Sequence, residues 1–181
     1  MSIMPASRDV TWDEYVGLLR SSDIRYELIG GVMYAMASAG RAHNRVSAKL
    51  MLTIGPAAFG HGCEAVNSDQ LVRVGDTFGW LPDFGVYCND DDGDGFFRTD
   101  PCLLAEVVSP SSHERDKVTK LGFYKAIPSL QTYLVIDPVD KSLVCHARGA
   151  DSRWATTTYR PGDTVRLPCP PLLLDVAALF E

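Results

Sequence analysis

Two acidic residues lie in apolar segments where a buried carboxylate is costly. Asp83 lies in the segment LPDF, and Glu106 lies inside the apolar run LLAEVV. An isolated buried carboxylate loses its charge by a shift in pKa unless it is paired or binds a cation. At the ends of adjacent strands, these carboxylates and the carbonyl of Val107 would suit a hard divalent ion such as Mg²⁺. A salt bridge, or a strand-end carboxylate that reaches water, explains the spacing equally well.

Lys120 is a candidate for a cation beside this pair. It follows Asp116 by four residues on a predicted helix, so the two side chains share a face, and the helix follows the loop that leaves the Glu106 strand. A cation near Glu106 can orient an attacking water or stabilise the charge on a phosphorane-like transition state. The spacing alone favours the alternative, a surface Asp116–Lys120 ion pair worth about 0.3–0.5 kcal/mol.

The first half of the chain predicts two helices and a hairpin. Thr11 and Glu14 have capping-box spacing, which predicts a helix that runs to about Arg20. Gly30-Gly31 separates two strand-like segments, and the positive φ that glycine allows is typical of a two-residue hairpin turn. Apolar residues at spacings of three and four predict an amphipathic helix over 42–59.

The remainder predicts a buried sheet. The apolar run 102–108 is typical of a central strand covered on both faces. A predicted helix over 111–126 and a strand over 133–137 follow it, which favours a parallel crossover. The other predicted strands are 63–66, 70–74, 81–88, 143–148, 154–159 and 164–167, with a short closing helix from Asp175. We expect one mixed α/β domain over residues 1–181, a central sheet flanked by helices, with additional antiparallel hairpins.

The composition is that of a folded globular domain. The chain has 181 residues, of which 46% are hydrophobic and 22% charged. Its 17 basic and 23 acidic residues give a charge of −6, which provides no general attraction to nucleic acid or anionic lipid. Four acids lie together in one predicted solvated loop, Asp90, Asp91, Asp92 and Asp94, which leaves 17 basic against 19 acidic residues, or −2, elsewhere. The predicted helix over 112–125 carries four basic against two acidic residues, so any nucleic-acid binding should be weak, metal-dependent, salt-sensitive and confined to that face.

The cysteines and apolar runs predict a cytoplasmic protein. Five cysteines, an odd number without a C-x-x-C pair, favour reduced buried thiols over a disulfide framework or a zinc site. The longest run without a charged residue other than histidine, 50–63, contains Gly and Pro and is shorter than the roughly 18 residues of a spanning helix. The N-terminal segment has no apolar core of signal-peptide length. We expect no membrane association.

The chain resembles the Uma-type ("Uma-two") endonuclease family, a branch of the PD-(D/E)XK restriction-endonuclease-like superfamily. The resemblance lies in the order and spacing of YELIGGVMYAM, AHNRVSAKL, LPDFGVYC, LAEVVSPSS, DKVTKLGFYKAIPSLQTYLVID and LLLDVAALFE. These segments cover nearly the whole chain, and together they are far more specific than the dipeptide Pro-Asp alone.

The resemblance implies a restriction-endonuclease-like core and Mg²⁺-dependent hydrolysis of DNA phosphodiester bonds, with Mn²⁺ as a possible substitute. Pro82-Asp83 matches the PD pair and Glu106 the second acid. The lysine usually found two residues later is replaced by Val108, and in this branch Lys120 on the following helix matches the substituting lysine. Glu27 matches the Tyr-Glu-Leu segment and is expected near the metal or its waters.

Two other functions stay open at the level of sequence. One is a nucleic-acid-binding or assembly module that keeps the nuclease fold without turnover, and the other is hydrolysis of a smaller phosphoester. His43 is interpreted as a helix-face histidine bonded to a neighbour. A homodimer is also compatible with the exposed strand edges, since two-fold dimers are the commonest oligomers.

Overall fold

Three β-sheets and four helices make up the part of the chain that the structure describes. This computed structural model describes residues 9–36, 38–89, 95–108 and 120–181. The helices are α1 (Trp12–Ser21), α2 (Arg41–Gly60), α3 (residues 120–124) and a 3₁₀ helix (Val176–Leu179). The strands are β1 (Tyr26–Ile29), β2 (Val32–Ala35), β3 (Glu64–Asn67), β4 (Leu71–Val74), β5 (Phe78–Trp80), β6 (Phe84–Tyr87), β7 (Phe97–Arg98), β8 (Leu103–Val107), β9 (Thr132–Asp137), β10 (Ser142–Arg148), β11 (Trp154–Tyr159), β12 (Thr164–Leu167) and β13 (Leu172–Asp175).

The central sheet has six strands in the order β11-β10-β9-β8-β6-β3. Only β8 and β9 run parallel among these neighbours, with Glu106 opposite Val135. A parallel pair requires a crossover connection, and α3 lies in the segment that joins the two strands. The predicted strand, helix and strand crossover is therefore confirmed, while residues 109–119, with Asp116, lie outside the described part, as does the predicted acidic loop at 90–94.

Both faces of the central sheet are covered, as the apolar sequence of β8 predicted. Leu103 packs on the α2 side in a cluster with Leu50, while Leu104 packs on the other side with Tyr124, and all four are fully buried. Successive side chains of a strand point to opposite faces. Glu106 therefore shares the Leu104 face and points toward α3 and its aromatic neighbours.

The N-terminal elements follow the sequence signals. The Thr11 hydroxyl accepts the Glu14 N–H, and the Glu14 carboxylate accepts the Thr11 N–H, so the predicted capping box is confirmed. Gly30 and Gly31 have φ of 58° and 79°, which completes the β1–β2 turn. The hairpin belongs to a second sheet, β2-β1-β5-β4-β7. Among the described helices, including the 20-residue α2, none is long and apolar enough to cross a membrane.

Several strand predictions need correction. Strand β6 begins at Phe84 rather than Leu81, and Asp83 occupies a bend just before it. Strands β5, β7 and β13 were not predicted, since two to four residues carry too little alternation to reveal a strand whose pairing is set by distant partners. The closing helix from Asp175 is a single 3₁₀ turn capped by that side chain.

The expectation of reduced thiols throughout is wrong for this structure. Disulfides join Cys63 to Cys88 and Cys102 to Cys169, and Cys145 is free and buried. The first pair lies one residue beyond the Glu64–Tyr87 pairing of β3 with β6, so the sheet register places the two cysteines opposite each other. Sequence separations of 25 and 67 residues give no local signal of such pairs.

Candidate active site

Lys120 lies between two carboxylates that come from different sheets. Its Nζ donates to Glu27 Oε1 at 2.7 Å and to Glu106 Oε1 at 3.0 Å. The three side chains are only 12–15% exposed. Glu27 faces this site because its neighbour Leu28 is buried against α1 on the opposite face of β1. The structure thus brings together three of the four predicted catalytic side chains.

Aromatic side chains hold this ion pair from the apolar side. Tyr124, one turn after Lys120 on α3, donates its hydroxyl to Glu106 Oε1 at 3.1 Å. The ammonium lies 5.1 Å from the ring centroid of fully buried Trp80, within the range of a cation–π contact. Both donors to Glu106 use Oε1, so these two contacts leave Oε2 to a further partner. Trp80 thus both packs in the core and supports the charged group.

Asp83, the fourth predicted residue, lies beside the end of β8. Its Oδ2 accepts the backbone N–H of Val107 at 2.7 Å, and its side chain is 11% exposed. This bond fixes Asp83 next to the strand that carries Glu106, as the sequence predicted for carboxylates from adjacent strands. The same bond brings the backbone of Val107, the third predicted metal ligand, to the site.

His43 is a member of the site that the sequence interpretation left out. It lies in the first turn of α2, where Nε2 is 3.1 Å from Asp83 Oδ2 and Nδ1 is 3.4 Å from the Ser47 hydroxyl. The contact with Ser47 agrees with the expected local bond, but the contact with Asp83 was not expected. The polar pair His43 and Ser47, four residues apart on a helix with an otherwise apolar face, was the available signal.

Burial and mutual repulsion set the protonation of the carboxylates and the lysine. Burial, with repulsion from Asp83 and Glu27, raises the pKa of Glu106 to about 7, although Lys120 opposes this change. Burial lowers the pKa of Lys120, but the two carboxylates raise it by more, so the net pKa lies above its usual value. The hydrogen bond with Asp83 raises the pKa of His43 against the effect of burial. Lys120 is therefore a permanent cation at neutral pH.

The donor atoms around Asp83 and Glu106 fit a hard divalent cation. Carboxylate and carbonyl oxygens are the ligands that Mg²⁺ and Mn²⁺ prefer. The raised pKa of buried Glu106, caused in part by Asp83, shows negative charge that a cation would relieve. A cavity of about 230 Å³ adjoins the site and is lined by polar side chains that include Arg25, Asn44 and Asn67.

Comparison with known proteins decides the family. The family model of Uma2, described as "Putative restriction endonuclease", matches residues 12–178. The chain belongs to the Uma2 family. Two relatives from Synechocystis, the uncharacterized proteins slr1290 and sll1609, are 29% and 30% identical to this Uma2 protein over 86% and 87% of its length and 83% and 91% of theirs.

A solved structure supports the Uma2 fold. A crystal structure from Anabaena variabilis, described as "a putative nuclease belonging to DUF820", superposes with a TM-score of 0.73 over 94% of this chain and 97% of that one, at 20% identity. The mixed α/β core is thus restriction-endonuclease-like, as the resemblance implied. The roles of the individual site residues stay predictions.

Proposed function

We propose that this Uma2 protein is a Mg²⁺-dependent endonuclease that hydrolyses DNA phosphodiester bonds. The observation that carries the proposal is the contact between Lys120 and Glu106 at 3.0 Å beside the Asp83–Val107 bond. Val108, the position just after β8 where the resemblance expects a lysine, carries none, and the ammonium of Lys120 on α3 supports the same role from a different element. Membership of the Uma2 family supports the reaction class.

The metal would be held by Asp83, Glu106 and the carbonyl of Val107. When bound, it would act as a Lewis acid that polarises the phosphate and lowers the pKa of a water nucleophile. Lys120 carries a fixed positive charge because Glu27 and Glu106 stabilise its ammonium. It therefore orients water and stabilises negative charge on the phosphate rather than acting as a general base.

The remaining side chains hold this arrangement in place. Glu27 accepts from the ammonium at 2.7 Å, so the lysine has a second carboxylate partner besides Glu106 that holds its orientation. Tyr124 fixes one oxygen of Glu106. His43 holds Asp83 Oδ2 together with the Val107 N–H, which leaves the other oxygen to a ligand.

The test uses the purified full chain with supercoiled, linear duplex and single-stranded DNA, in Mg²⁺ or Mn²⁺ and in EDTA. We expect cleavage of at least one DNA form that requires metal and is abolished by Asp83→Asn and Glu106→Gln. Asp140→Asn, an exposed acid in the turn between β9 and β10, is the matched control and should cleave normally. Calorimetry should show Mn²⁺ binding to the wild type and to the control.

Other outcomes would contradict the proposal. If cleavage persists in Asp83→Asn, the activity comes from a contaminant. Salt-sensitive DNA binding that survives Glu106→Gln, without cleavage of any form, would indicate a binding module on the same fold. Hydrolysis of nucleotides that duplex DNA does not compete with would indicate a smaller phosphoester as substrate.

A further inference from the structure

Four of the five cysteines converge at one place in the fold. Besides the two disulfide bonds, Cys88 Sγ lies 3.3 Å from Cys169 Sγ and 3.6 Å from Cys102 Sγ. Sulfur atoms of Cys63, Cys88 and Cys169 all lie within 4.8 Å of one another. The two disulfides are therefore in contact, and their sulfur atoms form one cluster.

The spacing between the two pairs suits a tetrahedral thiolate site. Zinc binds cysteine sulfur at about 2.3 Å, which places neighbouring sulfurs about 3.8 Å apart. The separations of 3.3 and 3.6 Å between the pairs are within about 0.5 Å of that spacing. Once the two disulfides are reduced, the bonded sulfurs must move apart, and Cys102 Sγ, which lies outside the group of three sulfurs, must move toward Cys63 Sγ. Rotation about χ1 of each cysteine supplies such movements.

The four cysteines come from four separate segments whose positions are fixed by other contacts. They lie just before β3, just after β6, just before β8 and in the β12–β13 turn. Cys63, Cys102 and Cys169 are buried, while Cys88 is exposed and gives a metal ion access. A closed site of buried sulfur ligands is typical of structural zinc.

Buried Arg98 fixes the segments around this cluster. Its guanidinium donates to Glu64 Oε2 at 3.0 Å, to Asn89 O at 2.7 Å and to Asp100 Oδ1 at 3.2 Å. These residues are next to Cys63, next to Cys88 and two before Cys102. The arginine therefore holds three of the four sulfur-bearing segments without using a sulfur contact, so the cluster does not depend on the disulfides alone.

We propose that Cys63, Cys88, Cys102 and Cys169 bind one Zn²⁺ as thiolates in the reduced protein, and that the two disulfides are the oxidised, metal-free state of this site. A phosphine reductant and one water convert each disulfide to two thiols, and the phosphine is oxidised to its oxide. The four thiols then release four protons when they bind Zn²⁺. Cys88 and Asp83 lie at opposite ends of β6, so this site is separate from the proposed nuclease centre.

The experiment measures metal in the full chain purified anaerobically with a phosphine reductant and supplied with Zn²⁺. We expect one zinc per wild-type chain after gel filtration, and less than one tenth of that in Cys88→Ser and Cys169→Ser. Cys145→Ser is the matched control, since this buried cysteine lies outside the cluster, and it should keep its zinc. Co²⁺ in place of Zn²⁺ should give the absorption of tetrahedral thiolate coordination.

A second measurement on the wild type does not depend on how well the variants fold. Zinc should protect exposed Cys88 of the native reduced protein from alkylation, and a chelator should remove that protection. A reduced, folded protein that retains no zinc overturns the proposal, as does equal zinc loss in Cys145→Ser or the retention of iron instead. Nuclease activity is not a readout here, so the two proposals fail separately.

Discussion

Glu106→Gln should stabilise the metal-free protein at alkaline pH while it removes metal binding. The charged Glu106 is held in a buried site near Asp83 and Glu27, and its pKa rises from 4.5 to about 7 as a result. Glutamine keeps the shape and an oxygen that accepts from Lys120 and Tyr124, but it carries no charge to desolvate. The wild type therefore gives up stability for a carboxylate that a cation can use.

The magnitude follows from the pKa. One pH unit is worth about 1.4 kcal/mol, so raising the pKa of Glu106 from 4.5 to about 7 corresponds to a loss of about 3 kcal/mol once the group ionises in the folded state. The attraction of Lys120 is already included in that pKa. Because the pKa of Glu106 is higher in the folded than in the unfolded protein, its contribution to the free energy of unfolding is fully present below pH 4.5. This contribution is lost as the pH rises through 7.

The assay is urea denaturation in EDTA at pH 5 and pH 8, with the free energy of unfolding compared between wild type and Glu106→Gln. We expect a difference of about 1 kcal/mol at pH 5, where Glu106 is already largely ionised in the unfolded chain, and of about 3 kcal/mol in favour of the variant at pH 8. Added Mn²⁺ should raise the stability of the wild type but not of the variant. Asp140→Asn, the exposed control, should follow the wild type at both pH values.

One result would refute this reasoning. If Glu106→Gln is less stable than the wild type at pH 8 in EDTA, the ion pair with Lys120 outweighs the cost of burying the carboxylate. The site would then be a structural salt bridge in a stable protein, and the case for a metal at Glu106 would lose its electrostatic basis.

Three further predictions concern the lysine, its helix and the second sheet. Lys120→Met should lower DNA cleavage about 10²–10³-fold in a plasmid assay while calorimetry still detects Mn²⁺ binding; unchanged cleavage would contradict its role. Arg148 donates to three carbonyls in the segment after α3, so Arg148→Met should lower the free energy of unfolding, measured by urea denaturation, by about 3 kcal/mol. The control Arg153→Met, at an exposed position, should leave that free energy almost unchanged. Gly79→Ala places a methyl group against the Tyr15 ring and should lower the free energy of unfolding by about 1–3 kcal/mol. Calorimetry should then show a lower melting temperature, and an unchanged melting temperature would mean that α1 shifts to make room.

Local signals predicted the elements that short-range physics determines. The capping box at Thr11, the glycine pair at 30–31 and the long apolar run of β8 each specify their structure within a few residues. The cost of burying Asp83 and Glu106 singled out two side chains that the structure places near one another. These features depend on backbone conformation and on the solvation of single groups, which a sequence displays directly.

The parts that the sequence did not reveal depend on the register of distant strands. Cys63 meets Cys88 because β3 pairs with β6 in one register, and a shift by one residue would separate them. His43 meets Asp83 because α2 crosses the sheet at a particular position; the polar pair His43 and Ser47 marks a face of the helix but does not identify the partner on the sheet. Lys120 was found through the family resemblance, since spacing alone favoured a surface pair with Asp116.

The bond between Lys120 and Glu27 spans 93 residues and joins a helix of the central-sheet crossover to a hairpin of the other sheet. A lysine two residues after Glu106 would have been in place as soon as one strand formed. Here the cation reaches its position only after the hairpin has docked on the completed central sheet. Loop closure over such a distance comes late in folding. A nascent or partly folded chain would thus carry the acidic residues without their cation, which ties the assembly of the candidate site to complete folding.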